Sequence, residues 1–265
     1  MNELFFTYVG GPTALIEFGG VRLLTDPTFD PPGEEYHLAQ YSLRKTAAPA
    51  LAADALAPLD AVLLSHDHHF DNLDRSGRRL LASVARTFTT RAGAARLGAP
   101  AVGLAPWESA VLASRDGGAL RITATPARHG PADGDRGPVI GFVVQRADGT
   151  GPALYLSGDT VWYEGVAEVA RRFTIDFAVL FLGAARVRPA GPAHLTFTAI
   201  EAVEAARAFG DATVLPLHYE GWEHFTEGRA DVEKAFAAAG LQQRLHWPRA
   251  GVRERLEPVR SVQPA

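Results

Sequence analysis

The chain has 265 residues and a net charge of −4, and 47% of its residues are hydrophobic while 21% are charged. These values are typical of a globular protein with enough apolar material for a core, and they exclude a chain that is disordered throughout. The scattered basic residues argue against a nucleic-acid-binding tail, and the absence of cysteine excludes disulfides, thiolate nucleophiles and cysteine metal ligands.

The N-terminal segment MNELFFTYVGG lacks a basic region followed by a long apolar stretch, which is the pattern of a signal peptide. No apolar run reaches the roughly 18 to 20 residues that a membrane-spanning helix needs. We therefore expect a cytoplasmic protein without a membrane span and without a nucleic-acid partner. The length fits one domain over residues 1–265, and nothing in the sequence indicates the oligomeric state.

Short apolar runs, separated by polar or glycine-containing segments, predict the strands of the fold. The last four runs are apolar almost throughout, which is typical of strands that are covered on both faces. In chain order, the predicted strands are residues 4–9, 14–18, 21–25, 61–65, 119–125, 139–145, 153–157, 175–182 and 213–217.

Helices are expected between several of these strands. Thr198 and Glu201 form a capping-box pattern, and the helix that follows should end at Gly210. Residues 229–240 have apolar side chains on one helical face. Residues 30–50 are the longest stretch without a pattern, and a loop of that length in a compact domain is often functional. Strands alternating with helices predict a layered α/β domain.

Side chains that can bind a metal come at or soon after the ends of four predicted strands. These are His66, His129, Asp159 and His218. Without cysteine, histidine nitrogens and carboxylate oxygens are the expected ligands, and they must converge from different segments. The wide spacing suits strands of one sheet system and not a finger-like zinc module. The segment SHDHHFDNLD supplies two further candidates, His68 and Asp71. The full set of candidate ligands is His66, His68, Asp71, His129, Asp159 and His218.

Four short motifs resemble the metallo-β-lactamase superfamily, in particular its branch with ascorbate-6-phosphate lactonase and N-acyl-phosphatidylethanolamine phospholipase D. The motifs are TDP at 25–27, LSHDH at 64–68, LSGDT at 156–160 and HYEGW at 218–222. The resemblance covers most of the chain and is more specific for the fold than for the substrate. It implies a four-layer αββα sandwich of two mixed sheets, with helices on the outer faces and the site at one edge between the sheets.

The resemblance also implies roles for the candidate ligands. His66, His68 and His129 resemble the ligands of one metal, and Asp71 and His218 resemble those of a second. Asp159 resembles the carboxylate that bridges the two. One or two divalent ions are therefore expected, with zinc preferred and manganese or iron as alternatives. Asp71 and Asp159 would be the catalytic residues that hold a metal-activated hydroxide.

The motif departs from the family pattern H-x-H-x-D-H at two points. Asp71 comes three residues after His68 where the pattern places the aspartate two residues after the histidine, and Asn72 takes the position of a histidine. Because an amide is a weaker ligand for borderline metals than an imidazole, the second metal site is expected to be weak, altered or empty.

Two alignments of the motif are possible. In the first, His66 and His68 match and one residue is inserted before Asp71; in the second, Asp67 and His69 fall on the first two histidine positions. We prefer the first alignment because LLSHDH matches the end of the preceding strand, and a bulge can absorb one extra residue.

Other polar and aromatic residues lie near the motifs, and each has two interpretations. His194 and Trp222 are candidates for substrate binding, with a helix start and core packing as the alternatives. For His224 we favour a structural role over a substrate contact. Four arginines could bind an anionic substrate through their bidentate fork, although a solvent-exposed position is favoured for each: Arg128, Arg136, Arg186 and Arg188.

The predicted function is metal-dependent hydrolysis of an ester, lactone or phosphodiester bond in a small molecule, as in a lactonase, esterase or phosphodiesterase. The alternative is a non-catalytic protein of the same fold that binds or senses metal. A nuclease is less favoured, because the interval between Asp159 and His218 is too short for a large inserted nucleic-acid domain and the net charge is negative.

Overall fold

A computed structural model describes residues 3–114, 117–133 and 136–258 of the chain. Its helices are α1 (Arg75–Leu81), α2 (Arg91–Leu97), α3 (Glu164–Arg172), α4 (Ala199–Ala208) and α5 (Arg229–Ala238). None of the helices in this described part combines the length and the apolar character that crossing a bilayer requires. Its strands are β1 (Leu4–Gly10), β2 (Thr13–Phe18), β3 (Val21–Thr25), β4 (Glu35–His37), β5 (Ser42–Arg44), β6 (Ala61–Leu63), β7 (Thr87–Thr90), β8 (Ala101–Leu104), β9 (Ser109–Ala113), β10 (Ala119–Pro126), β11 (Ile140–Arg146), β12 (Leu154–Leu156), β13 (Phe177–Phe181), β14 (Thr213–Leu217) and β15 (Arg253–Leu256).

Two large mixed sheets form the centre of the fold. The first has the order β15-β1-β2-β3-β6-β7-β8, antiparallel from β15 to β3 and parallel from β3 to β8. The second has the order β14-β13-β12-β11-β10-β9, parallel from β14 to β12 and antiparallel beyond. The predicted pair of mixed sheets is confirmed.

The sheets pack face to face through one buried apolar cluster. Phe6 and Ile16 of the first sheet belong to the same cluster as Phe142 and Val179 of the second. Each such side chain contributes about 1.5–3 kcal/mol when it leaves water, so this layer stabilises the arrangement of the two sheets. The expected αββα order follows from two further clusters, because α3, α4 and α5 cover the outer face of the second sheet and α1 covers that of the first.

The predicted elements agree with the structure where the sequence pattern is strong. All the predicted strands are present, with ends shifted by up to two residues. The Thr198 side chain accepts a hydrogen bond from the Glu201 backbone N–H at 3.1 Å, and the Glu201 carboxylate accepts one from the Thr198 N–H at 3.0 Å. This capping box begins α4, and Gly210 follows the helix at a φ of +59°, where a residue without Cβ is favoured.

Residues 30–50, which show no sequence pattern, contain the short antiparallel hairpin β4–β5. Tyr36 of β4 stacks on Phe70 with 4.5 Å between ring centroids, and its hydroxyl donates a hydrogen bond to Asp30 at 2.6 Å. The hairpin thereby packs against the loop that follows β6. This segment positions one wall of the site described below.

The carboxyl ends of β6, β12 and β14 lie at one edge of the sandwich. The chain continues from these ends into His66, Asp159 and His218. A backbone hydrogen bond of 3.2 Å from Ile140 N–H to the Ser65 carbonyl connects the two sheets at this edge. Side chains from both sheets therefore converge between them.

Candidate metal centre

The loop after β6 is fixed at both ends by buried carboxylates. Asp26 accepts hydrogen bonds from the Ser65 N–H at 3.0 Å and from the Ser65 hydroxyl at 2.6 Å. At the other end Asp74 caps α1 by accepting from the Gly77 N–H at 2.8 Å, which satisfies a backbone donor at the helix start. These contacts hold the intervening polar side chains in place.

Three imidazole nitrogens converge in the first group, formed by His66, His69 and His129. The Nδ1 atom of His69 lies 3.0 Å from Nε2 of His66 and 3.1 Å from Nε2 of His129. Two donors bound about 2.1 Å from one ion, at an angle of about 90–110°, lie about 3.0–3.4 Å apart. The observed spacings therefore match those of ligands on a single ion.

The protonation of these rings also suits a metal. The Nδ1 atom of His129 donates to the Leu195 carbonyl at 2.8 Å, and Nδ1 of His66 donates to the Ser65 hydroxyl at 2.9 Å. In a neutral imidazole this leaves Nε2 with a lone pair directed at the other rings. Burial, together with the neighbouring imidazole of His129, lowers the pKa of His69 to about 3. The neutral form, which binds metals, is thus favoured.

The second group consists of Asp71, Asp159 and His218, all buried. The Nε2 atom of His218 lies 3.5 Å from Oδ2 of Asp71 and 3.4 Å from Oδ1 of Asp159. Burial alone would lower the pKa of His218, but the carboxylates of Asp159 and Asp71 raise it to about 10. A proton on His218 offsets only one of the two buried negative charges, whereas a divalent ion would offset both.

Asp159 connects the two groups. Its Oδ1 faces His218, whereas its Oδ2 lies 3.6 Å from Nε2 of His129 and 3.9 Å from Nε2 of His66. The Oδ2 atom is buried and has no hydrogen-bond partner among the described residues. A buried carboxylate oxygen without a partner is costly, and a metal ion would satisfy it. The side chains present therefore fit one ion in each group with Asp159 between them.

His218 and Asn72 show how the second group is shaped. His218 has a φ of +55°, an uncommon conformation for a residue other than glycine, and its N–H donates to the Gly11 carbonyl at 2.9 Å. Backbone strain of this kind is often found at functional sites. Asn72 is fully buried, and its Nδ2 donates to Oδ1 of Asp159 at 3.3 Å. Asn72 therefore contacts the shared carboxylate.

His68 lies apart from the first group, in contrast to the alignment that the sequence favoured. Its Nε2 donates to the Arg136 carbonyl at 2.8 Å, and its side chain is 25% exposed. In an extended chain, alternate residues face the same side, which would pair His66 with His68. The chain instead bends at residues 67 and 68, and this bend brings His69 onto the side of His66. Neither of the two alignments describes this combination.

A small cleft opens over both groups, with about 260 Å³ of space including its mouth. Leu43, Val187 and Leu195 supply apolar walls, and Tyr41 and Arg136 line the cleft as polar residues. The Arg136 guanidinium lies 5.8 Å from the centre of the Tyr41 ring. His224 also lines the cleft, although the sequence favoured a structural role for it.

The two residues predicted to bind substrate do not line this cleft. His194 Nε2 lies 3.0 Å from the carboxylate of Glu201, which caps α4. Trp222 is 4% exposed and packs between Tyr36, at 5.5 Å, and Lys45, at 5.5 Å. These contacts are those of the alternative roles, a helix start for His194 and packing for Trp222. Tyr41 lines the cleft, but no motif or periodic pattern predicted this, because it lies in the unpatterned residues 30–50.

Comparisons with known proteins agree with this architecture. Residues 21–219 match the family model of the beta-lactamase superfamily domain. A UPF0173 metal-dependent hydrolase of Pyrobaculum aerophilum is 27% identical over 217 residues, which are 80% of this chain and 82% of the relative. Another protein of that name, from Pelotomaculum thermopropionicum, is 27% identical over 88% of this chain and 92% of its own length.

Solved structures show the same fold at lower sequence identity. The crystal structure of isothiocyanate hydrolase from Delia radicum gut bacteria has a TM-score of 0.79 at 21% identity, covering 96% of this chain and 99% of that one. A possible metal-dependent hydrolase from Veillonella parvula has a TM-score of 0.78 at 20% identity, covering 95% and 99%. With the matching family model over most of its length, the chain belongs to the metallo-β-lactamase superfamily.

Proposed function

We propose that the chain is a hydrolase that depends on one or two divalent metal ions, with zinc preferred. The observation that carries this proposal is the position of Asp159, whose two carboxylate oxygens face two separate groups of metal-competent side chains. The names of the relatives in Pyrobaculum and Pelotomaculum, both metal-dependent hydrolases, support it.

The candidate ligands would form two adjoining metal sites. His66, His69 and His129 would hold one ion, and Asp71 and His218 the other, with Asp159 shared. When bound, such ions polarise a carbonyl or phosphoryl oxygen and lower the pKa of water from 15.7 to about 7. Asp71 and Asp159 would accept hydrogen bonds from a water molecule and so orient it for attack on the substrate.

The proposed substrate is a small molecule with an ester, lactone or phosphodiester bond, as the family resemblance implies. Leu43, Val187 and Leu195 would contact apolar parts of the substrate. Arg136, whose guanidinium is near Tyr41, would bind an anionic or strongly polar group.

The proposal can be tested with metal-free protein reloaded with zinc, manganese or iron. We expect at least one ion per chain by elemental analysis, and hydrolysis of a member of a panel of lactones, carboxylic esters and phosphodiesters that a chelator abolishes. Asp159→Asn should remove most of this activity while circular dichroism stays unchanged. The exposed carboxylate variant Asp148→Asn serves as a control. Protein that retains no ion contradicts the proposal, and protein that binds metal without hydrolysing any of the panel indicates a non-catalytic role.

A further inference from the structure

The second group has fewer imidazole ligands than the family pattern predicts. The pattern places a histidine at position 72, but the chain has Asn72, whose amide donates to Asp159. His69 cannot take this role, because its Nδ1 belongs to the first group. His218 is therefore the one imidazole of the three-residue second group. A further nitrogen ligand would have to come from another segment.

His224, in the segment after β14, lies at the required place. Its Nε2 is 3.0 Å from Oδ2 of Asp71, and Nε2 of His218 is 3.5 Å from the same oxygen. Both spacings are close to the range of about 3.0–3.4 Å expected for neighbouring ligands of one ion. Oδ2 of Asp71 thus lies near imidazole nitrogens of both His218 and His224.

The backbone and the ring contacts of His224 fix this position. The Arg186 N–H donates to the His224 carbonyl at 3.0 Å, and the imidazole packs on the Phe225 ring with 4.6 Å between centroids. The His224 side chain is 10% exposed, and its Nδ1 has no hydrogen-bond partner in the described part of the chain. His224 also lines the cleft, as Asp71 of the second group does.

We propose that His224 is a ligand of the second metal ion and supplies the imidazole that Asn72 does not. The inference rests on the proposed function, since it requires that divalent ions bind to both groups. It changes the expectation drawn from Asn72: the second site is complete, with Asp71, Asp159, His218 and His224 as its ligands. An alternative role for His224 is a hydrogen bond from Nε2–H that only orients Asp71.

Calorimetric titration of the metal-free protein with zinc, and separately with manganese, tests this role without using activity. Wild type should bind two ions, and His224→Ala should keep the first while it binds the second on the order of 100-fold more weakly. His246→Ala is the matched control, because His246 also lies close to a carboxylate, 2.7 Å from Glu254, but outside the cleft. It should bind both ions like wild type. An unchanged second ion in His224→Ala overturns the proposal.

The double variant His224→Ala, Asn72→His separates a ligand from an orienting residue. A histidine at position 72 should restore the second ion if a ligand is missing. A folded double variant that does not recover the second ion assigns His224 to orienting Asp71 and overturns the proposal.

A crystal structure of the metal-loaded wild type, with ions located by anomalous scattering, decides the question even if the double variant does not fold. The second ion should lie about 2.1 Å from Nε2 of His224. An ion in the second group that is out of bonding reach of His224, or an ion in the first group alone, overturns this inference. Either result leaves the proposed hydrolase intact, whereas protein that binds no ion and hydrolyses nothing contradicts the proposed function itself.

Discussion

The Nε2 atom of His66 lies 3.0 Å from the Nδ1 atom of His69, three residues further along the chain. The intervening bend turns His68 towards the carbonyl of Arg136. The neighbouring residues His68 and His69 therefore have different contacts. His69 lies in the candidate metal site, whereas His68 hydrogen-bonds to the segment that carries Arg136, an arginine of the cleft.

This difference predicts opposite results for two neighbouring substitutions. His69→Ala should weaken binding of the first ion on the order of 100-fold, because it removes one of three converging nitrogens. His68→Ala should leave metal content unchanged. Equilibrium dialysis with elemental analysis measures both. Loss of the ion in His68→Ala together with its retention in His69→Ala would restore the alignment that the sequence favoured.

Removal of the metal should destabilise the protein. The second group contains two buried carboxylates, and without a divalent ion only a protonated His218 offsets their negative charge. An ion present at about 1,000 times its Kd stabilises the folded state by about 4.1 kcal/mol. Scanning calorimetry with and without chelator should show a lower Tm for the metal-free protein. An identical Tm, with metal loss verified by elemental analysis, would argue against binding at these buried groups.

Arg136 should affect substrate binding more than turnover. Arg136→Gln removes a cation that lines the cleft near Tyr41. For a substrate with an anionic group, KM should rise about tenfold or more, since hydrogen bonds to charged groups contribute about 1.5–3 kcal/mol. The metal content and kcat should change little. Arg188→Gln, at an exposed position, is the control. A fall in kcat at constant KM would place Arg136 in the chemical step instead.

The pair His194–Glu201 should make a small contribution to stability that depends on pH. The hydrogen-bonding carboxylate of Glu201 raises the pKa of His194 above its usual value. A raised histidine pKa means that the folded state binds the proton more tightly than the unfolded state does. The contribution is therefore fully present below about pH 6.5 and is lost as the pH rises through the folded-state pKa.

Urea unfolding of wild type and His194→Gln at several pH values measures this contribution. The difference in the free energy of unfolding should be at most about 1 kcal/mol, because the pair is partly exposed. It should be largest in mildly acidic solution and vanish in alkaline solution. A difference that grows with pH would contradict the interpretation.

The sequence predicts the parts of this molecule that depend on apolar runs and their ends. Asp159 and His218 follow buried parallel strands of one sheet, so their convergence could be inferred without coordinates. The position of His69 could not be inferred in this way, because it depends on a bend within a polar loop. His224 and Tyr41 reach the cleft through tertiary contacts of irregular segments, which carry no periodic pattern. The short strand β15 was missed because its pairing partner, β1, lies at the other end of the chain.

The pairing of β1 with β15 has a consequence for synthesis. Leu4 lies opposite Leu256 in the finished sheet, although the two residues are far apart in the sequence. Until the last strand has emerged, β1 has an unpaired edge that can associate with other chains. Contacts of such long sequence separation also slow folding. The first sheet is therefore completed only after β15 has been translated, and a chain cut short before β15 would leave β1 open to aggregation.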